Sequence, residues 1–175
     1  MLVNALLRAK HLASQGKDIF ATPCLKYFLY NDIDADKFKT DDEAQHNYAL
    51  LDDNDIWSAL KVWIDNEDKV LSLLSADLLN RNLFKVEISN IPICEDKIED
   101  IKTAIAGKFG ISKDDARYLM SVDTIQKDMY DVNDDHITIL FKDNTLKDIS
   151  EASEVMNIAL LSKKIRKYYL CYQRF

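Results

Sequence analysis

Residues 79–89 read Leu-Asn-Arg-Asn-Leu-Phe-Lys-Val-Glu-Ile-Ser, and the pattern of the chain changes within this stretch. Before it, apolar residues recur with the period of an amphipathic helix. From Phe84 to Ser89 they alternate with polar residues, which is typical of a β-strand. The stretch therefore predicts an α+β protein in which antiparallel helices occupy residues 1–82 and a ferredoxin-like βαββαβ module occupies residues 83–175.

The helical part carries start and stop signals at several points. Gly16 suits the C-terminal end of a first helix, and Thr22-Pro23 supplies an N-cap and a first-turn proline for a second. Residues 31–43 are polar and acidic and are predicted to form a solvated loop with helix-capping acids. Asp52 or Asp53 is expected to cap the next helix. On the first helix, one face is formed by Val3, Leu6, Leu7 and Lys10.

The second part is assigned from its order of elements, which is strand, helix, strand, strand, helix, strand. That order is the split pattern of a ferredoxin-like sandwich. Only 3 glycines and 2 prolines occur, too few for the tight turns of a β-sandwich or barrel. The strands are expected at 84–89, 116–124, 137–142 and 167–172, the helices at 96–109 and 150–161, and an acidic loop at 128–135.

Composition limits the classes of partner. Hydrophobic residues make up 47% of the chain, so it should fold, but no apolar run is long enough to cross a bilayer. The net charge of −7 repels nucleic acid, whereas a local basic cluster can still bind a phosphate. The 3 cysteines are odd in number and lack CxxC spacing, which favours a reduced, cytoplasmic setting. We expect neither DNA nor a membrane as a partner.

No complete catalytic or metal-binding motif is visible. The histidines His11, His46 and His136 have no second histidine at helical spacing, and the pair Asp135-His136 is expected at the surface. No nucleophile motif or glycine-rich phosphate loop occurs either. The sequence therefore predicts no catalytic, cofactor-binding or metal-binding residues in this chain.

Arg81 and Lys85 are the most informative cations, because they lie four residues apart at the junction between the two parts. A guanidinium that forks and an ammonium that acts as a point charge together suit a phosphate. The alternative for Arg81 is a salt bridge that caps the carbonyls at the end of its helix. A cationic run at Lys163, Lys164, Arg166 and Lys167 is interpreted as the guard of an edge strand in preference to a phosphate site.

Residues 48–85 resemble the region that follows the catalytic core in HD-domain phosphohydrolases, and most closely in the dNTP triphosphohydrolases. There, too, a Leu-x-Asp segment leads through two helices into a motif like Arg-Asn-Leu-Phe-Lys, here Arg81 to Lys85. The following part, through Lys167-Tyr168-Tyr169, is similar to the C-terminal portion of bacterial HD superfamily hydrolases.

The resemblance implies that the chain is the C-terminal region of such an enzyme. The family holds a divalent metal with a His…His-Asp…Asp set, which nothing in this sequence matches, so the resemblance places that set upstream of Met1. It also implies an HD catalytic domain as partner and assembly into a homo-oligomer. By position, Arg81 and Lys85 would contact the phosphates of a regulatory nucleotide.

The function expected from this evidence is that of an accessory or regulatory part of a metal-dependent HD-type (deoxy)nucleotide phosphohydrolase, inactive on its own. The alternative is a free-standing module that binds a protein or a small ligand. In that case the ferredoxin-like lobe would pair through its edge strand.

Overall fold

The computed structural model describes residues 1–127, 138–148 and 165–175, with six helices before the first strand. The first six helices are α1 (Leu2–Ser14), α2 (Pro23–Tyr30), α3 (Ala35–Thr40), α4 (Asp42–Leu50), α5 (Asp53–Trp63) and α6 (Lys69–Leu79). The later elements are β1 (Lys85–Ser89), α7 (Glu95–Phe109), α8 (Lys113–Ala116), a 3-10 turn (Arg117–Leu119), β2 (Met120–Lys127), β3 (Thr138–Leu140), β4 (Leu146–Asp148) and β5 (Ile165–Tyr172). The predicted α+β class is confirmed. None of the helices in the described residues is long and apolar enough to cross a membrane.

Aspartates start the helices in the acidic part of the chain. Asp34 accepts the backbone N–H of Lys37 at 2.7 Å, and Asp41 accepts that of Ala44 at 3.0 Å. These caps satisfy donors that the first helical turn leaves free. The helix-capping acids that were expected at residues 31–43 are therefore present, but the prediction of a loop there is wrong, because most of the stretch forms α3 and the start of α4.

The start of α5 agrees with its predicted cap. Asp52 accepts the backbone N–H of Asn54 and of Asp55, and the Asp55 side chain accepts the backbone N–H of Asp52 in return. This reciprocal arrangement is a capping box. It explains why the helix begins at Asp53.

The buried side of α1 carries small residues. Ala5 and Ala9 are fully buried and Leu12 nearly so, whereas Val3 and Leu7 are 66% and 53% exposed. Small side chains on this side let the elements that contact α1, among them α6 and α2, approach it closely. The large apolar residues that mark one face in the sequence therefore do not face the core.

The core of the helical part is centred on α5 and α6, which pack against each other. Trp63, Leu71 and Leu74 are fully buried. The indole N–H of Trp63 donates to the carbonyl of Phe20 at 2.9 Å, so its polar atom is satisfied inside the core.

A buried ionic cluster joins α1 to two other elements. Arg8 contacts Asp68 through two hydrogen bonds of 3.0 and 2.6 Å, and its third nitrogen lies 2.6 Å from Asp115. Asp68 also accepts the backbone N–H of Leu71 and so caps α6. Burial acts to lower the pKa of the Arg8 guanidinium, but hydrogen bonds and charges from both aspartates raise it above its usual value.

The backbone divides into two compact units. One comprises Met1–Glu87, Cys94–Ser121 and Leu170–Phe175, and the other comprises Ile88–Ile93 and Val122–Tyr169. These units do not follow the predicted boundary between residues 82 and 83, because α7, α8 and the last residues cluster with the first six helices.

The strand order differs from a ferredoxin-like module. The three-stranded sheet has the order β1-β5-β2, so the last strand separates the first from the second. In a ferredoxin-like module the third strand has that place. Here β3 instead pairs antiparallel with β4, with Ile139 opposite Lys147. A tight turn at Asp143-Asn144, where Asn144 has a φ of 65°, brings these two strands together.

One strand begins later than predicted, because helical turns occupy its predicted first residues. The strand predicted at 116–124 begins at Met120, because residues 113–119 form α8 and the 3-10 turn. The predicted acidic loop at 128–135 and the predicted helix at 150–161 lie outside the described residues.

Candidate functional site

Arg81 directly follows the C-cap of α6 and adopts a left-handed conformation, with φ of 59°. The backbone N–H of Asn82 donates to the carbonyl of Asp77 at 2.8 Å, and that of Arg81 donates to Leu78 at 3.3 Å. This pair of bonds is a Schellman motif, whose left-handed position is usually glycine. An arginine at this position has an unfavourable backbone conformation, and such strain is found most often at functional sites. Arg81 is therefore a candidate for a functional side chain.

Arg81→Gly should therefore stabilise the fold. Glycine adopts the left-handed conformation without the Cβ clash, which stabilises the folded state. It also makes the unfolded chain more flexible, which offsets part of that gain, so we expect the free energy of unfolding to rise by about 0.5–1 kcal/mol. Urea unfolding measures it. Asn80→Gly is the matched control, because Asn80 has an ordinary φ of −88° and should give no gain. A loss of stability in Arg81→Gly would show that the side chain supports the fold.

The side chain of Arg81 does not act as a helix cap. It is exposed and forms no ion pair or hydrogen bond with the residues that the structure describes. The carbonyls of Asp77 and Leu78 already accept backbone N–H groups, so a side-chain donor is not needed there. The Arg81 side chain therefore does not cap α6 in this structure, and its guanidinium is available to a ligand.

Lys85 has partners. Its Nζ lies 3.0 Å from Oε1 of Glu87 and 5.3 Å from the centroid of the Tyr172 ring. Glu87 also accepts from Lys97 at 2.5 Å and from the hydroxyl of Tyr172 at 2.7 Å. A hydrogen bond with Tyr172 and the pairing with Glu87 raise the pKa of Lys85. Lys85 is therefore charged and held in place, with part of its charge already compensated.

Glu87 makes stability depend on pH in the acid range. The hydrogen bonds from Lys97, Tyr172 and Lys85 lower its pKa from 4.5 to about 2. Because the folded-state pKa is depressed, the stabilisation is complete above the unfolded value and is lost as pH falls toward the folded one. We expect the unfolding free energy of the wild type to fall more steeply between pH 5 and about 2 than that of Glu87→Gln.

Urea unfolding over this pH range measures the difference. Glu67→Gln removes an exposed glutamate that forms no ion pair within the described residues, so it is the matched control and should follow the wild-type curve. Equal slopes for the wild type and Glu87→Gln would contradict the prediction.

Two clefts open beside these cations. The first, of about 460 Å³, is lined by residues from the end of α6 and from after β5: Asp77, Arg81, Asn82, Leu83, Gln173 and Arg174. The second, of about 470 Å³, is lined by Lys85, Tyr172, Arg174 and Phe175. The structure thus places Arg81 and Lys85 in different clefts and adds Arg174 to both. Arg174 has no distinguishing pattern in the sequence, and only the pairing of β5 brings it near residue 81.

The remaining candidates form no site in the described residues. No three His, Cys, Asp or Glu side chains converge there as metal ligands. His11 lies 3.1 Å from the Gln15 side chain, His46 is exposed on α4, and His136 lies outside the described residues with Asp135. That this chain binds no metal stays a prediction.

The cationic run after residue 162 is described only in part. Lys163 and Lys164 lie outside the described residues. Arg166 is exposed on β5, and the ammonium of Lys167 donates to the side chain of Asn90. Neither the phosphate role nor the edge-guard role of this run is tested by these contacts.

Similarity to known proteins is found among solved structures. No protein-family model matches the chain, and no curated protein does. Among solved structures, the chain is similar to a phosphohydrolase from Bacteroides thetaiotaomicron VPI-5482, with a TM-score of 0.90 and 54% identity. The match covers 99% of this chain but only 43% of that one. Over nearly its whole length, this chain is therefore similar to part of a phosphohydrolase.

Proposed function

We propose that the chain is the C-terminal accessory or regulatory part of a metal-dependent HD-type (deoxy)nucleotide phosphohydrolase. The observation that carries the proposal is the 54% identity to part of a phosphohydrolase. Because the match spans 43% of that protein, the larger part of the enzyme has no counterpart in this chain. In the proposal, the HD catalytic domain and its divalent metal belong to a part of the enzyme that lies outside this chain.

The residues present support an accessory role rather than a catalytic one. The family resemblance requires a His…His-Asp…Asp set, and no residues of this sequence match it. A metal in the HD domain would activate water and stabilise charge on the phosphate. In the proposal, this chain supports that domain, mediates assembly and binds a regulatory nucleotide.

Arg81 is the main phosphate contact in this proposal. Its guanidinium has no partner in the described chain, and a free guanidinium can bind two oxygens of one phosphate. Lys85 contributes less, because Glu87 lies 3.0 Å from its ammonium. Its role is to add positive potential in the neighbouring cleft.

A thermal shift experiment with GTP or dGTP tests the regulatory contact. At a nucleotide concentration of about 100 times Kd the stabilisation is about 2.7 kcal/mol, which corresponds to roughly 5–10 °C for a chain of this size. Arg81→Ala should abolish most of this shift. Lys108→Ala, which removes another exposed cation outside both clefts, should keep it. Equal shifts in the wild type and Arg81→Ala would contradict the proposal.

A free-standing interaction module is the second candidate. It is favoured by the exposed apolar residues on α1, where Leu2, Val3 and Leu7 face away from the core. Light scattering together with thermal shift distinguishes the two functions. A monodisperse oligomer whose melting temperature does not change with nucleotide favours the module. The regulatory role instead requires that nucleotides stabilise the protein.

A further inference from the structure

Arg174 is the cation that the two clefts share. It lines the cleft of Arg81 and also the cleft of Lys85. It is exposed and, like Arg81, has no ion pair or hydrogen bond with the described residues. Two unpaired guanidinium groups thus line one cleft of a chain whose net charge is −7.

The acidic group in the same cleft, Asp77, forms no ion pair with either arginine. Its Oδ2 accepts the amide N–H of Gln173 at 2.7 Å, and its Oδ1 accepts that of Asn82 at 3.3 Å. These neutral donors leave the charge of Asp77 in place, so it offsets part of the positive charge of the arginines. Two guanidinium groups line the cleft with this one carboxylate, so its net charge is positive and suits an anion.

The backbone that carries Arg174 is held firmly. The N–H of the preceding residue, Gln173, donates to the carbonyl of Leu119 at 2.8 Å, and Leu170 and Tyr172 on β5 are buried. A guanidinium on a fixed backbone loses less entropy when it binds than one on a mobile segment. Arg174 is therefore pre-organised at the edge of both clefts.

We infer that Arg81 and Arg174 together bind a polyphosphate chain, with one guanidinium on each of two phosphates and Lys85 beyond them. This inference rests on the proposed function and adds Arg174 to its phosphate site. A short polyanion is favoured over nucleic acid, because it feels the nearest charges whereas a long one is repelled by the whole acidic chain.

The second cleft indicates where the rest of a nucleotide would lie. Phe175 is exposed, and its ring centroid lies 5.9 Å from that of Tyr172. An exposed aromatic ring next to a phosphate site can stack on a base. A nucleoside triphosphate should therefore bind more tightly than inorganic tripolyphosphate, which has only the phosphate chain.

Calorimetric titration of the full 175-residue chain tests the inference, first with tripolyphosphate and then with GTP. Loss of a charge-assisted hydrogen-bond pair should raise Kd for tripolyphosphate about tenfold or more in Arg174→Ala, and similarly in Arg81→Ala. Arg174→Lys, which keeps the charge but not the fork, should fall between. Lys108→Ala is the control and should bind like the wild type. The melting temperature without ligand should be unchanged in Arg174→Ala.

Each outcome supports or overturns the inference. Unchanged tripolyphosphate affinity in Arg174→Ala overturns it, and leaves the proposed function intact if Arg81→Ala still removes the GTP shift. Absence of tripolyphosphate binding to the wild type also overturns it. A lowered melting temperature of ligand-free Arg174→Ala, with binding unchanged, would assign Arg174 a structural role instead.

Discussion

Replacing Arg8 with alanine should destabilise the protein by about 3–5 kcal/mol, because it leaves buried carboxylates without their counter-ion. The side chains of Arg8 and Asp68 are only 8% and 9% exposed, and Asp115 is also partly buried. Removal of one member of a buried ion pair is far more costly than replacement of the whole pair by apolar groups. The same change also disturbs the cap of α6, since Arg8 orients the Asp68 carboxylate that accepts from Leu71.

Lys10→Ala is the matched control for this prediction. Lys10 lies on the same helix and pairs with Asp32, whose side chain is fully exposed. An exposed pair contributes at most about 1 kcal/mol. Urea unfolding of both variants at pH 7 makes the comparison. Similar losses in the two would mean that the Arg8 cluster is more hydrated and weaker than its geometry indicates.

Trp63→Ala should cost about 3–5 kcal/mol, through lost burial and the cavity left in the core. Trp63 is fully buried between helices and donates its indole N–H to Phe20. The variant therefore also leaves the carbonyl of Phe20 without this donor. The effect should appear as a lower urea midpoint with little change in the slope of the transition.

The other tryptophan is the control. Trp57 lies on the same helix but is 47% exposed, so Trp57→Ala removes much less buried surface. Its destabilisation should be smaller by at least about 2 kcal/mol. If the two variants unfold at the same urea concentration, α5 does not pack against the core through Trp63.

Local signals account for the parts of the fold that were predictable from sequence. Asp52, Pro23 and Gly16 mark helix ends through interactions with residues close in the chain. The alternation after Phe84 likewise locates β1 to within one residue. These signals need no knowledge of the tertiary structure.

Features that depend on distant residues were not predictable. The buried face of α1 is set by close packing against α6, for which alanine is better suited than the larger Val3 and Leu7. The position of β5 between β1 and β2 depends on which strands pair. The alternation of apolar and polar residues within a strand does not determine its pairing partner. The Arg8 cluster joins residues from three separate segments.

The candidate site shows the same division. Arg81 and Lys85 were identified because they belong to a recognisable motif and lie close in sequence. Arg174 was missed, because it becomes a neighbour of Arg81 only after β5 has joined the sheet. The ion pair between Lys85 and Glu87 was not predicted either. Glu87 is close to Lys85 in the sequence, but its contacts with Lys97 and Tyr172 depend on the fold.

Phosphate release from dGTP by the purified chain, with Mg²⁺ or Mn²⁺ present, decides between an accessory and a catalytic role. We expect the chain to gain thermal stability from dGTP but to release no phosphate, because the proposed function assigns the residues that hold the catalytic metal to another part of the enzyme. Turnover that a chelator abolishes and metal restores would contradict it.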